Sequence, residues 1–517
     1  MTVSAVSLLL PEWLLLIGAC AALLLGINPR STWSLLVAPC ALLIVLAALL
    51  VTMSQGVPSD GAGIPGLWLT PLTFYTRLIA LSIGALILLI NWHQPSPPER
   101  GEYLGMILFS LLGVLLTASA NDWIVLFLAI ELVSVPTYVL IALSREDSRA
   151  SESAVKYFFL GALSTAFLAF GFSYLYGAAG TTTMFLFDQG QVRTAMIAPV
   201  WTGPVLVGLL LAFAGLAFKI AAVPMHVYAA DVYEGAASPV TGLLGFVPKF
   251  AGFVALVKLL SVFQWQVPAG VYWTLWIIAA ATMTTGNVLA LLQKNVKRML
   301  AYSSIAHTGY MLIALMVGPV AGQGPMRDGV AALLFYVAVY GAMNLGVFAV
   351  LILFRTEDDK ELETLDDIAG LARRAPLTAL ALAICVFSLM GLPPTAGFLG
   401  KLYIFSSAFS LDDVHPFRTP LIWLAVIGVL NSAVGAAYYL RIVSTAYVRS
   451  EVQAVRSQPG WSLRWGLALC AIPMLFLFLQ PAPLIAEARK ATVALQQTTQ
   501  SSTSTLTADV KPPGAQP

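Results

Sequence analysis

The chain has 517 residues, of which 59% are hydrophobic and 10% charged, with a formal net charge of +2 and a mean hydropathy of +0.85. Soluble domains carry about 25% charged residues, so this composition excludes a soluble enzyme or binding domain. No basic segment is long enough to bind nucleic acid. Apolar segments near the ~20 residues of a membrane helix recur along the chain, which predicts an all-α polytopic membrane protein.

The apolar segments predict about fourteen transmembrane helices. The first segment lacks a basic region before it, so we interpret it as a helix and not as a cleaved signal. In chain order the predicted spans are 12–27, 33–54, 71–92, 103–119, 122–143, 155–177, 203–229, 240–262, 271–292, 299–318, 329–354, 377–408, 419–447 and 462–482.

Two of these spans are too long for a straight crossing and contain proline. Pro224 interrupts 203–229, and Pro393–Pro394 interrupts 377–408. Backbone that is not helical at membrane depth is tolerated only inside protein or beside a hydrated cavity. We therefore expect two broken helices that line something functional.

The order of the spans suggests an internal duplication. Spans 4–8 and spans 9–13 each carry a proline-broken helix with a lysine in fourth position, and an odd number of helices inverts one set relative to the other. This predicts two inverted five-helix repeats. The predicted domains are 1–102 with three helices, 103–262 as the first repeat, 271–447 as the second, 462–482 as the last helix, and 487–517 as a disordered polar tail.

Lysine and arginine predict the orientation. With the N-terminus outside, the inner loops hold fourteen of these residues, whereas the outer loops hold only Arg193, Arg327 and Arg418. This is the positive-inside pattern. Fourteen spans then place both termini on the outer, periplasmic side of a bacterial-type cell membrane, with an organellar inner membrane as the less favoured alternative.

Four ionisable residues lie deep in apolar spans: Glu131, Lys219, Lys249 and Lys401. Each charge near a helix centre costs roughly 2.5–3.5 kcal/mol on insertion scales. One interpretation is structural, with Glu131 paired to a lysine and holding helices together. One acid cannot neutralise three bases, however, and the set is more typical of a proton relay. We expect the charge of Glu131 to control whether Lys219 holds or releases a proton.

Two histidines lie near membrane depth. His226 follows Pro224 and Lys219, and His307 follows Ser303 and Ser304 by one helical turn. Each is either a relay group or a histidine with ordinary hydrogen bonds, and the sequence leaves both readings open.

The other charged residues and the cysteines carry less information. We expect Arg77, Lys258 and Arg441 to extend toward the membrane interface from near their span ends. Asp231 and Glu234 are either functional or solvated. The four cysteines lie scattered in apolar spans and are interpreted as core residues. The sequence has no phosphate-binding loop, dinucleotide fingerprint or metal-binding cluster.

Three segments closely resemble one protein family. They are FKIAAVPMHVYAADVYEGAASPV from Phe218, LLQKNVKRMLAYSSIAHTGYML from Leu291 and GLPPTAGFLGKLYIF from Gly391. Together they resemble the antiporter-like membrane subunits of respiratory complex I, the proton-pumping NADH:quinone oxidoreductase. The amino-acid sequences of the first two segments are most similar to those of the subunit N branch, whose mitochondrial counterpart is subunit 2.

The resemblance implies a function and roles for residues. The family pairs a glutamate on the fifth helix with a lysine on the broken seventh, followed by a lysine on the eighth and a charged residue on the broken twelfth. Glu131, Lys219, Lys249 and Lys401 match these positions, and His226 and His307 fall within the matching segments. The family also implies that quinone reduction elsewhere drives proton translocation.

Cofactors and partners follow from the same resemblance. NADH, flavin, iron–sulfur clusters and quinone are expected on partner subunits, with no cofactor in this chain. Its expected partners are other membrane-arm subunits, including antiporter-like and small ones, and lipid, with no nucleic acid.

Three alternatives remain open from the sequence. The chain could belong to a multi-subunit Na⁺(K⁺)/H⁺ antiporter, or to a related membrane-bound hydrogenase or photosynthetic complex. It could also be a structural subunit that anchors an enzyme and moves no protons, which four deeply placed charges disfavour.

Overall fold

The computed structural model describes residues 5–27, 33–57, 63–93, 99–145, 147–188, 191–194, 201–320, 324–357, 359–412, 415–458 and 460–493. The helices of the first half are α1 (Ala5–Leu8), α2 (Leu10–Gly26), α3 (Trp33–Gln55), α4 (Pro71–Ile90), α5 (Arg100–Ser119), α6 (Trp123–Leu143), α7 (Ser148–Ala179), α8 (Gly203–Lys219), α9 (Ala229–Gly235) and α10 (Ser238–Val262).

The second half is helical as well. Its helices are α11 (Ala269–Leu291), α12 (Val296–Val317), α13 (Gly329–Leu353), α14 (Leu371–Arg374), α15 (Pro376–Met390), α16 (Ala396–Ser407), α17 (Arg418–Tyr447), α18 (Trp461–Leu479) and α19 (482–493). A 3₁₀ turn lies at Asp366–Ile368 before α14.

Short antiparallel strand pairs join helix ends. The pairs are β1 (Gly63–Ile64) with β2 (Leu67–Trp68), β3 (Phe185–Asp188) with β4 (Gln191–Thr194), and β5 (Phe354–Thr356) with β6 (Val455–Ser457). The last pair, in register Phe354 to Ser457, ties the end of α13 to the segment that precedes α18.

The prediction of an all-helical, multi-pass membrane protein is confirmed. In the described part of the chain, eleven helices are long and apolar enough to cross a membrane. Three shorter apolar helices, α2, α8 and α15, lie within the remaining predicted spans. Helices α10 and α13 are buried over their whole length and form the centre of the bundle, whereas α3, α7 and α17 lie at its periphery.

Both predicted helix breaks are present. Helix α8 ends at Lys219 and helical structure resumes at α9, while α15 ends at Met390 and resumes at α16. Gly391 ends α15 with φ of +83°, a left-handed conformation that favours glycine. A Cβ there would lie 2.8 Å from Cδ of Lys401, so the turn and the lysine stem also share one confined space.

Sequence reasoning was wrong about two basic residues. Arg77 does not reach the interface: it is 4% exposed, and its guanidinium donates two hydrogen bonds of 2.8 Å to the Glu12 carboxylate of α2. Lys258 is also 4% exposed and donates to the carbonyl of Ala120, just after α5. A cation at a helix carboxyl end stabilises the partial negative charge there. Arg441 is exposed.

The polar tail differs from its prediction at its start. Residues 487–493 belong to helix α19, in which Ala488, Ala491 and Thr492 are fully buried against the bundle. Burial of this apolar stripe explains why a segment of polar composition is helical there. The rest of the predicted tail, 494–517, lies outside the described residues.

Close backbone packing sets the distance between α7 and α8. A Cβ on Gly171 would lie 2.5 Å from the backbone nitrogen of Ala212 and 2.8 Å from the carbonyl of Gly208. Backbone atoms cannot rotate away as a side chain can. The absence of a side chain at Gly171 therefore allows the approach that brings α8, with its terminal Lys219, against α7.

We expect Gly171→Ala to lower stability by about 1–3 kcal/mol because α8 must move away from α7. Gly177→Ala, on the same helix, is the matched control, since a Cβ there meets nothing within 4 Å. That variant should be neutral or more stable by roughly 0.5–1 kcal/mol. Thermal unfolding of the purified protein in detergent measures both, and equal midpoints for the two variants would contradict the packing argument.

Candidate functional site

Lys219 and Glu131 come together in the structure. Nζ of Lys219 lies 3.3 Å from Oε1 of Glu131 and 2.7 Å from the hydroxyl oxygen of Ser134, both on α6. Thr165 of α7 donates a 2.7 Å hydrogen bond to the same carboxylate oxygen. The Lys219 side chain is 3% exposed and that of Glu131 is 21% exposed. Of the two side chains, therefore, Glu131 is partly exposed at the surface of the bundle and Lys219 is buried.

The helix break follows Lys219 directly, because Lys219 is the last residue of α8. The carbonyl of Phe218 in the last turn accepts a hydrogen bond from the Tyr228 hydroxyl and not from the lysine. The Lys219 ammonium is held instead by Glu131 and Ser134 of α6.

Lys249 of α10 is bound by α12. Its Nζ donates 2.6 Å to the carbonyl oxygen of Ser304 and 3.0 Å to the hydroxyl of Thr308. The Thr308 hydroxyl also lies 2.7 Å from the carbonyl oxygen of Ile220, which follows Lys219 directly. One threonine therefore connects the second lysine to the end of the helix that carries the first.

A small cavity separates Lys219 from Lys249. It has a volume of about 10 Å³, and its lining includes both lysines, Tyr228, Tyr233 and Ser304. A site for one water molecule needs roughly 10–15 Å³ and several polar partners. The cavity is thus close to the size of a single water and is lined by both lysine residues.

Lys401 lies beside the second break, on the segment α16 that follows it. Its Nζ donates 2.9 Å to the carbonyl oxygen of Met390, the last residue of α15, and 2.9 Å to the hydroxyl of Ser432 on α17. It also lies 5.1 Å from the ring centre of Tyr310, within cation–π range. The ammonium of Lys401 therefore lies at the carboxyl end of α15.

The two histidines differ in their surroundings. His307 of α12 is 1% exposed, with Nδ1 2.5 Å from the hydroxyl of Tyr336 and Nε2 2.8 Å from that of Tyr439. His226 lies in the break after α8 and is half-buried. In the described part of the chain, no hydrogen bond joins His226 to Lys219 or Lys249. The structure thus brings His307, and not His226, into a hydrogen-bonded cluster.

Sequence reasoning missed the polar partners of the charged residues: Ser134, Thr165, Thr308, Ser432, Tyr336, Tyr340 and Tyr439. Ser134 follows Glu131 by three residues, so helical spacing alone could have identified it. Tyr336, Tyr340 and Tyr439 lie in apolar spans far along the chain, where tyrosine is common. Only the packing of the helices shows that all three rings lie near His307.

A second charged cluster lies where α6 ends and where α10 and α12 begin. Glu361 accepts hydrogen bonds from Arg145 at 2.5 Å and from the backbone and hydroxyl of Ser238 at 2.9 and 2.8 Å. Lys297 lies 3.9 Å from Glu361 and 3.5 Å from Glu363. The cluster lies beside an open cavity of about 870 Å³ and joins the two halves of the chain.

Asp231 and Glu234, which the sequence left open, belong to another set of ion pairs. Arg298 of α12 lies 2.9 Å from Asp231 and 2.6 Å from Glu234, and Lys156 of α7 lies 3.2 Å from Asp231. These contacts fix α9, the second segment of the first broken helix, to its neighbours.

Comparison with known proteins identifies the family of this chain. The model of the family "NADH:quinone oxidoreductase/Mrp antiporter, TM" matches residues 120–434, which is more than half of the chain. The chain belongs to this NADH:quinone oxidoreductase/Mrp antiporter family. The resemblance inferred from three sequence segments is thereby confirmed.

Relatives within the family match most of the chain. It is 42% identical over 387 residues to NADH-quinone oxidoreductase subunit N of Trichlorobacter lovleyi, covering 72% of this chain and 74% of that protein. It is 37% identical over 499 residues to the protein of the same name from Granulibacter bethesdensis, covering 94% and 98%.

Solved structures share the fold. Respiratory complex I from Thermus thermophilus contains a chain with 29% identity and a TM-score of 0.76, covering 93% of this chain and 99% of that one. The archaeal membrane-bound sulfane sulfur reductase contains one with 26% identity and a TM-score of 0.80, covering 96% and 99%. A chain of the Mrp complex from Dietzia has 20% identity and a TM-score of 0.77, covering 96% and 98%, which shows the fold alone.

The pKa of Glu361 predicts how the stability of the protein depends on pH. Burial raises the pKa of this carboxyl. The charges of Lys297 and Arg145 and the hydrogen bonds from Ser238 outweigh burial and lower the pKa to about 2, against an ordinary value of 4.5. The stabilisation is therefore complete above pH 4.5 and is lost as the pH falls through 2.

We expect Glu361→Gln to destabilise the protein by roughly 3 kcal/mol at pH 7, because two cations lose a buried counterion. The difference from the parent should shrink below pH 4.5. Glu357→Gln, an exposed neighbour, is the control. Thermal unfolding midpoints between pH 3 and pH 7 measure the effect. A difference that stays constant over this range would exclude the assigned pKa.

Proposed function

We propose that this chain is a subunit N of a proton-translocating NADH:quinone oxidoreductase and moves protons through Glu131, Lys219, Lys249 and Lys401. Relatives of that name match it over 94% of its length. The observation that carries the proposal is that Lys219 pairs with Glu131, and that the Thr308 hydroxyl bonds both to Lys249 and to the carbonyl of the residue after Lys219. The buried Lys258 has no such link to another ionisable side chain within the described residues.

The contacts support a stepwise transfer. When Glu131 moves away or is neutralised, Lys219 loses its counterion and favours release of its proton. The small cavity of about 10 Å³ lies between Lys219 and Lys249, where one water could carry that proton. His307 then lies on the way from Lys249 to Lys401. His226, at the break, is a further candidate near the start of the path.

The energy for transfer is proposed to come from quinone reduction on partner subunits. We propose that a change of charge near Glu131 starts the transfer, because Glu131 is the partly exposed member of its pair with Lys219. NADH, flavin, iron–sulfur clusters and quinone are proposed to bind to those partners and not to this chain. Among the described residues, no group of three or more histidine, cysteine or acidic side chains could hold a metal ion.

The membrane arrangement extends the same proposal. Eleven long and three short apolar helices, with α8–α9 and α15–α16 each counted once, are consistent with fourteen crossings. The two breaks, each with a buried lysine in the same broken helix, favour two inverted five-helix repeats. The excess of basic residues in one set of loops favours a bacterial cell membrane with both termini outside.

The alternative functions differ from this proposal in the ion that is transported or in the complex to which the chain belongs. The Mrp complex shares the fold, so a sodium or potassium/proton antiporter remains the competing function to test. The sulfane sulfur reductase shows that chains of this fold also occur in other respiratory membrane complexes. Identity to proteins named subunit N favours the quinone-linked enzyme.

The first test is Lys219→Ala in membrane vesicles, measuring proton pumping and NADH:quinone turnover together. We expect both to fall, by about tenfold or more, because an alanine cannot carry the proton. Lys258→Ala is the matched control, since Lys258 is equally buried but binds only the end of α5 in the described structure. It should retain pumping per assembled complex.

Either of two results would overturn the proposal. Undiminished pumping and turnover in assembled Lys219→Ala complexes would make the lysine structural. A requirement for sodium or potassium in the parental vesicles, with no quinone-linked pumping, would favour the antiporter.

A further inference from the structure

The hydrogen bonds of His307 join three helices. The ring belongs to α12, Tyr336 to α13 and Tyr439 to α17. Both ring nitrogens have a tyrosine hydroxyl within 2.8 Å, and Tyr439 also shares a short hydrogen bond with Ser303. We refer to Tyr336, His307, Tyr439 and Ser303 as the tyrosine bracket.

The bracket lies between the two later lysines. Tyr336 packs so closely against Gly400 that a Cβ on that glycine would lie 2.2 Å from Cδ2 of the ring, and Gly400 precedes Lys401. Tyr340, one turn along α13, donates 2.7 Å to the hydroxyl of Ser304, whose carbonyl binds Lys249. Helix α13 thus presents one tyrosine toward each lysine.

We propose that Tyr336 and Tyr439 are relay residues that pass protons to and from His307, which rests on the proton-translocating function proposed above. A neutral imidazole has one N–H and one bare nitrogen. Because both nitrogens face hydroxyls, one tyrosine accepts a hydrogen bond from the ring and the other donates to it.

One transfer balances as follows. A hydroxyl proton moves to the bare ring nitrogen while a new proton binds that hydroxyl oxygen. The opposite ring N–H bond breaks, its proton moves to the second tyrosine oxygen, and that tyrosine gives up its own hydroxyl proton. One proton enters and one leaves, and the imidazole ends neutral with its proton on the other nitrogen.

Exclusion of bulk water makes the tyrosines necessary. His307, Tyr336, Tyr439 and Ser303 are each no more than 2% exposed. Within the described residues, the hydroxyls of Tyr336 and Tyr439 are the hydrogen-bond partners of the His307 ring. A phenylalanine at either position keeps the ring packing but removes the oxygen that receives or supplies the proton.

The test compares Tyr336→Phe and Tyr439→Phe with Tyr75→Phe in the intact complex. Tyr75 is also fully buried and also bonds to α13, through the carbonyl of Leu334, and no hydrogen bond in the described part of the chain joins it to a relay residue. We expect each of the first two variants to lower proton pumping per assembled complex by about tenfold or more. Tyr75→Phe should pump at the parental rate.

A second readout separates a relay from a structural role. Difluorotyrosine at position 336 or 439 keeps the ring and the hydroxyl but makes the hydroxyl more acidic. A relay predicts that the pH profile of pumping shifts, and this measurement also decides the matter if a phenylalanine variant fails to assemble. An unchanged profile, or phenylalanine variants that pump like Tyr75→Phe, overturns the bracket.

Lys219→Ala, measured beside these variants, keeps the two proposals distinct. If Lys219→Ala abolishes pumping and the tyrosine variants do not, the bracket is wrong and the proton-translocating function stands. If Lys219→Ala also pumps normally, the function itself fails.

Discussion

The structure depends on the cost of placing an ammonium group inside an apolar bundle. That cost is several kcal/mol unless oxygen atoms replace the lost water. The chain meets it with oxygen atoms from neighbouring helices. Lys219 binds Glu131 and Ser134 of α6, and Lys401 binds the carbonyl of the last residue of α15. The break after α15 therefore supplies one of these oxygens, because a carbonyl at a helix end has no partner in its own helix.

The same constraint explains the arrangement around the site. Gly171 lets α8 approach α7, and Thr165 of α7 bonds to the carboxylate that pairs with Lys219. Helices α10 and α13 are buried along their whole length and supply Lys249, Tyr336 and Tyr340. The polar groups thus lie on the most enclosed helices, where bulk water cannot compete. In the proposed relay, each proton transfer then requires a specific neighbouring side chain.

The charged cluster around Glu361 has a different character. Its carboxylate stays ionised far below neutral pH, because two cations and the start of α10 stabilise its charge. A group held in one ionic state cannot store and release protons at neutral pH. We therefore interpret this cluster as a fixed connection between the two halves of the chain.

The sequence by itself determined the helical membrane class, the two breaks and the positions of Glu131 and the three lysines, because hydropathy, proline and isolated charges are local signals. It also carried the motifs of the family.

Only the tertiary structure decided which side chains contact one another. The pairing of Arg77 with Glu12, the capping of α5 by Lys258 and the two tyrosines around His307 each join residues that are distant in the chain. Such contacts follow from how helices pack, and a tyrosine or an arginine in an apolar span has the same local pattern whether or not a partner lies opposite.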